Sequence, residues 1–392
     1  MLLKILYCLI IFQVILKQIT GFGSFYYILG GFLIVTEVFK ADFQKGVKEK
    51  LFPFLGYFLF GVVLLAFNLV IQFDVNSLIM FCSLFWIPLL FFLKANRGDL
   101  HLESFLTLHI IIATIAALVS VVEFHVSRDV FGLLPRVGFA ALYENYDLFY
   151  RTRSFFYSTQ INTLFMAFSL FLLLELKLVN SKSLKTLLCL LFLYSLILTG
   201  SRTAILLAIA FFCLKYPYKS LTILSPILVL SISYFLVKDV DMISRLLARQ
   251  LDVFIDINNF LTSDSNVSRI AFQLEALKDA NFVFGNGLGS TYSKSTNYIN
   301  TESYYIQIYS ELGLIGLALL IAMFIKLYKH SRKNFKRIIF LMLATGLIVH
   351  GLSSPYLFGF WMILFSDGDT GRRRKTRFLS SKSRYSISNG RE

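Results

Sequence analysis

A chain of 392 residues that is 57% hydrophobic and only 16% charged is not a water-soluble fold, whose residues are about 45–50% apolar and about 25% charged. The net charge of +15 falls largely in alternate short turns, where membrane topology and anionic lipid account for it and no nucleic-acid partner is needed. The 42 Phe and 20 Tyr suit lipid-facing and headgroup positions, and Cys8, Cys82, Cys189 and Cys213 all lie in apolar runs without a second cysteine or a histidine at metal-ligand spacing.

In chain order, apolar segments fall at 3–19, 22–39, 51–71, 75–93, 104–122, 155–178, 184–199, 202–214, 220–237, 304–327, 337–350 and 352–366. The expected fold is therefore an all-α polytopic membrane protein with about twelve transmembrane helices. The first segment lacks a small-x-small cleavage site and reads as an uncleaved span. A hydrocarbon core of ~30 Å needs about 20 helical residues, so 184–199, 202–214 and the last two segments are expected to be tilted, re-entrant or capped within the protein.

Alternate turns carry Lys40, Lys45, Lys48 and Lys50, then Lys94 and Arg97, Lys177, Lys182 and Lys185, Lys215 and Lys219, and the run Lys326 to Arg337. Translocated turns are poor in such residues, which predicts that this side and both termini are cytoplasmic. Residues 1–366 then form one integral membrane domain, and 367–392 a basic cytoplasmic tail. On the opposite side two loops are long, 123–154 and 238–303, and loops of that length are usually functional or disordered. Within the second, 241–257 reads as an amphipathic surface helix, and Asn266 through Ala280 as another with Ile270, Leu274 and Leu277 on one face.

Charged groups at the outer ends of spans are where chemistry is expected. Arg202, in LTGSRTAIL, either snorkels to headgroups or clamps a phosphate with its planar guanidinium fork. Arg151 and Arg153, in RTRSFFYSTQ, and Arg269, ahead of FGNGLGS, offer the same choice. GNGLGS lacks the preceding strand and following helix of a dinucleotide fingerprint, although a tight turn aiming N–H groups at an anion stays open. Glu302, in TESYYIQIYSELGLIGL, stands at the mouth of a span either as a helix-start residue or as a partly desolvated general base. Glu311 lies deeper and would pair with an arginine or Tyr309, and His350 either lines the same vestibule with Tyr304 or is a lone hydrogen-bonded histidine. His101, His109, His125 and His330 form no metal spacing, so neither metal nor cofactor is expected.

LTGSRTA at an outer turn, an arginine-bearing helix running into FGNGLG, and TESYYIQIYSELGLIG together resemble the O-antigen polymerase and O-antigen ligase superfamily over about residues 150–320. In the ligases of that family a His-Asn pair stands ten residues before the glycine of the GLIG-like turn; counting back from Gly313, the positions here are Glu302 and Ser303. The histidine is missing, a departure that resembles the glutamate-bearing motif of Wzy-type polymerases. The resemblance implies a GT-C-like architecture in the bacterial inner membrane with its active site facing the periplasm. It implies that Arg202 and Arg269, with Arg153 and Arg151, hold the diphosphate of an undecaprenyl-diphosphate-linked oligosaccharide, with Glu302 in the place of the acceptor-activating base. Membrane lipid and a chain-length regulator protein are the implied partners. A ligase transferring glycan to lipid A core and a transporter or flippase without chemistry are the alternatives.

Overall fold

A computed structural model describes residues 2–20, 29–30, 32–33, 45–71, 75–96, 102–126, 151–156, 158–176, 178–216, 264–291, 303–347 and 363–364. The segment expected at 220–237, nearly all of 352–366, the surface helix at 241–257 and the tail 367–392 lie outside the described residues. Regular structure among the described residues is helical: α1 Leu2–Ile11, α2 Gln13–Thr20, α3 Lys45–Ile71, α4 Val75–Phe81, α5 Ile87–Asn96, α6 Leu102–His125, α7 Thr159–Glu175, α8 Lys182–Leu198, α9 Arg202–Lys215, α10 Asp264–Asp279, α11 Tyr304–His330 and α12 Lys333–Thr345. Three described helices are long and apolar enough to cross a membrane, at Ser77–Ala95, Leu102–His125 and Tyr304–His330. The protein is a helical membrane protein.

Two expected spans differ in detail. The first is interrupted at Phe12, where α1 gives way to α2, although Phe12 N–H still reaches Cys8 O at 2.9 Å. The stretch from α4 to α5 passes through a π turn at Cys82–Trp86. The extra residue of such a turn re-aims side chains, and Ser83, Leu84 and Phe85 all point inward. Phe85 stacks on Tyr57 of α3 at 4.5 Å, a closeness that Gly61 permits because any Cβ there would meet the ring at 2.6 Å.

Polar side chains tie the bundle together where lipid offers no hydrogen bonds. Ser169 Oγ donates to Phe165 O at 2.6 Å, so it accepts from His109 Nε2–H at 2.8 Å, and His109 Nδ1 accepts from the Tyr7 hydroxyl. That chain joins α1, α6 and α7. At one end of the bundle Glu175 of α7 meets Arg337 of α12 at 3.0 Å and Lys215 of α9 at 3.9 Å. This basic end fixes direction: α7 and α9 run toward it, α12 runs away from it, and the three pack on one another. Thr159, Arg202 and Thr345 therefore share the opposite end.

Candidate functional site

Two constructions occupy that opposite end. The first is the corner where the 151–154 segment lies on the α8–α9 turn. The turn is short because Thr199 caps α8 and Gly200 takes φ 57, the left-handed conformation that ends helices and that glycine adopts without strain. Thr152 N–H donates to Leu198 O at 3.1 Å, and Arg151 Nε donates to Thr199 O at 2.9 Å. Arg151 and Arg153 are thereby set beside the turn from which Arg202 opens α9.

The corner is held from below by a residue that sequence reasoning passed over. Glu123, fully buried near the end of α6, accepts the backbone N–H of Arg153 on both oxygens, at 3.3 and 3.1 Å, and that of Ser154 at 2.7 Å. Ser154 sits at φ 53, unusual for a residue with a Cβ. It is retained because Glu123 takes its N–H and its own hydroxyl reaches Ala116 O at 2.9 Å. Asn162 completes the frame by donating to Thr152 O at 3.4 Å and to Ser120 Oγ at 3.2 Å. The Glu123 carboxylate thus accepts from the main chain of both Arg153 and Ser154. The first turns of α7 and α9 begin at this same end and add the positive partial charge of their N–H groups. Chemically, the corner is suited to anions.

The second construction is the glycine turn docked onto a broken helix. Within α11, Gly313 adopts φ 67 and ψ −168, which interrupts the helical ladder. The freed groups trade bonds with residues 282–287. Leu314 N–H donates to Phe282 O at 2.9 Å and Ile315 N–H to Val283 O at 3.4 Å, while Asn286 N–H donates to Ser310 O at 2.7 Å and Gly287 N–H to Glu311 O at 3.1 Å. Gly285, at φ 71, faces Gly313 so closely that a Cβ on it would stand 2.5 Å from the Glu311 carbonyl carbon and 2.6 Å from Gly313 N. On the other side of the turn, Leu288 O accepts from Ser77 Oγ at 2.6 Å and from Asn68 Nδ2 at 3.4 Å. A cleft of about 130 Å³ remains between Phe67, Asn68 and the Phe284–Gly287 stretch.

Among the described residues, Glu311 pairs with neither an arginine nor Tyr309, the partners its position in the sequence suggests. It is fully buried; its Oε1 accepts from Thr291 Oγ1 and from Gln307 Nε2 at 3.3 Å, and the N–H groups of Gly289 and Thr291 face its carboxylate. Tyr57 and Tyr304 lie within its electrostatic reach. The turn does aim N–H groups at an anion, and the anion is the chain's own side chain. Fixing this turn leaves Glu311 oriented inward to the fold.

Of the other expected site residues, Tyr304 is fully buried, with its N–H on Gly346 O at 2.8 Å, and Ser303 Oγ reaches the same carbonyl at 3.1 Å. These bonds fix the start of α11 to the end of α12, and so to the end of the bundle that bears Arg202. Arg269 lies on α10, which packs against α11. Glu302 and His350 lie outside the described residues, and among the described residues no group of His, Cys, Asp and Glu could hold a metal ion.

Residues 187–321 match the family described as O-antigen ligase. That match supports the resemblance to the O-antigen polymerase and ligase superfamily over this stretch of the chain. The matched stretch includes both the α8–α9 turn and the docked glycine turn, and leaves out the 151–154 segment and Glu123. Among curated proteins, none matches the chain. The match supports, in general terms, a glycan-transferring function of the O-antigen polymerase and ligase kind.

Proposed function

We propose that this member polymerises undecaprenyl-diphosphate-linked oligosaccharide repeat units at the periplasmic face of the bacterial inner membrane. The growing glycan leaves its polyprenyl diphosphate and bonds to a hydroxyl of the next lipid-linked unit, whose proton passes to a base. A glycosyl diphosphate is already a good leaving group, so the reaction needs cations for the departing charge and a base for the acceptor. The observation that carries the reading is the corner itself: Arg151 and Arg153 are set by main-chain bonds against the turn that leads into Arg202, with the residues following Glu302 fixed to the same end of the bundle.

In this reading Arg202, Arg269, Arg153 and Arg151 hold the diphosphate and Glu302 takes the acceptor proton, with His350, Tyr304 and Glu311 around the vestibule. No cofactor is required, and a chain-length regulator is the proposed protein partner. The basic end faces the cytoplasm, in keeping with the positive-inside rule. The description of the matched family favours a second reading, a ligase that moves finished glycan onto lipid A core; Glu302 in the position of the ligases' histidine favours polymerisation.

The surface-glycan ladder of a deletion strain separates these. Polymerase loss leaves a single repeat unit on the core, ligase loss leaves bare core with lipid-linked polymer accumulating, and a flippase without chemistry leaves neither. Glu302→Gln and Arg269→Ala are expected to stop chain extension while protein levels persist. Full-length glycan in both variants would overturn the site assignment.

A further inference from the structure

The stretch from α10 through the glycine turn belongs to the second long loop, which hydropathy alone puts in water. We infer that Phe282, Val283 and Phe284 are instead immersed in acyl chains, at the level of the leaflet farther from the basic end, so that residues 281–288 form a re-entrant element and not an aqueous loop.

Depth can be read from two helices. Phe282 and Val283 bond to Leu314 and Ile315, and twelve residues of uninterrupted helix separate Leu314 from Lys326. At about 1.5 Å per residue that places the contact about 18 Å above Lys326, well inside a hydrocarbon core of ~30 Å. Counting from His330 gives about 24 Å, still inside, and any tilt of α11 only lowers the height. On α3, Asn68 holds Leu288 about 27 Å above Lys50 by the same rise. The turn thus emerges near the surface at Leu288 and is deepest at Phe282.

The side chains agree with that depth. Phe282 is 63% exposed, Phe284 53% and Val283 40%, and beside them the span's own Leu314 and Phe67 are 44% and 60% exposed. Their apolar surface is continuous with the part of α11 that faces lipid. On α10 the exposed residues Val267, Ile270, Leu274 and Leu277 extend the same surface along one helical stripe. In water such a patch invites association; in hydrocarbon it is the ordinary exterior.

The backbone supplies an independent argument. Irregular chain at membrane depth must satisfy its own polar groups, whereas a wet loop can leave them to water. Here Asn281 Oδ1 accepts from Val283 N and Phe284 N, both at 3.1 Å; Asn286 Oδ1 accepts from Asn281 N at 3.0 Å, and Asn286 Nδ2 donates to Asp279 O at 3.0 Å. Gly285 N–H reaches Asn281 O at 2.9 Å, and the next two N–H groups go to α11. Two asparagines thus close a turn whose exterior is phenylalanine and valine.

The test places a tryptophan at Phe284, and in a second variant at Phe282, in full-length protein carrying Trp86→Phe and Trp361→Phe, reconstituted in nanodiscs of ordinary or chain-brominated phosphatidylcholine. Leu314→Trp serves as the lipid-facing reference. Both probes are expected to emit at blue-shifted wavelengths, to be quenched by brominated chains as strongly as the reference, and to resist aqueous iodide. Quenching by iodide but not by brominated lipid would show an aqueous loop and overturn the inference. Quenching by neither would show that protein covers the patch, a second copy included, and would overturn it equally. Helical circular dichroism and a single size-exclusion peak establish folding for each variant, and since both positions are exposed, one folded variant suffices. The outcome is independent of whether the protein polymerises or ligates glycan.

Discussion

Replacing Gly313 with alanine tests whether the broken helix is a designed joint. At φ 67 and ψ −168, a region occupied essentially by glycine alone, an L-residue costs about 1–2 kcal/mol relative to glycine. The new methyl carbon would also stand against Val283 O and C, roughly 1 Å inside normal contact distance. Both atoms are backbone, so no rotamer change relieves the clash; the docked turn must withdraw. Withdrawal forfeits the bonds from Leu314 N to Phe282 O and from Ile315 N to Val283 O, at about 0.5–1.5 kcal/mol each. The expected loss is about 2–5 kcal/mol, large against the usual effect of one substitution. The assay is the apparent melting temperature in nanodiscs, with Gly56→Ala as the control. A Cβ at Gly56 meets nothing within 4 Å in the middle of α3, and alanine there gains up to about 1 kcal/mol of helix propensity. Gly313→Ala that melts with the unmutated protein would refute the reasoning, whatever its activity.

Three other outcomes are expected. Glu123→Gln turns an acceptor-only carboxylate into an amide that presents N–H to the N–H groups of Arg153 and Ser154; a loss of about 1–3 kcal/mol follows, and chain extension measured as a glycan ladder should fall although no arginine has changed. Full stability with full extension would refute the account of the corner. Tyr7→Phe removes the hydroxyl donor to His109 and should lower stability by about 1–2 kcal/mol, read as a fall in melting temperature. Arg337→Ala should change the melting temperature little, because its partner contact with Glu175 is half exposed and such surface pairs contribute roughly 0–1 kcal/mol.

The hydropathy pattern located the described helices to within a few residues where runs were long, as for 104–122 against Leu102–His125 and for Asn266–Ala280 against Asp264–Asp279. Apolar transfer dominates there, and it is a local property of composition. Gly313 falls inside the apolar segment 304–327, whose hydropathy does not mark a break in the helix. The available signal was the pair Gly313 and Gly316 in a helix, each costing about 1 kcal/mol in an ordinary helical interior, with a second glycine cluster at 285–289. The role of Glu123 had no signal: its partners are main-chain N–H groups, which every residue but proline offers. The surroundings of Glu311 had no signal for a related reason. A buried carboxylate was expected to seek an arginine, yet a hydroxyl, an amide and a turn of peptide N–H groups surround it instead. The arginines proposed for the site stand in the sequence as residue types at the ends of runs, and what the fold adds is the stitching of 151–154 to the α8–α9 turn.

The exchange of bonds between α11 and the glycine turn bears on how the chain is inserted. The two partners, 282–287 and 310–315, are close in sequence and can meet as soon as both have left the ribosome. Leu288 must also find Ser77 and Asn68, more than 200 positions earlier. The unoccupied joint would leave peptide groups of α11 without partners in hydrocarbon, an unfavourable state that ends only when the turn has docked. Biogenesis therefore has a natural order. The amino-terminal helices settle first and present Ser77 and Asn68; the turn closes on them and on the emerging α11, and α12 then reaches Glu175 with Arg337. A chain interrupted before residue 291 would lack the fastener between its two halves.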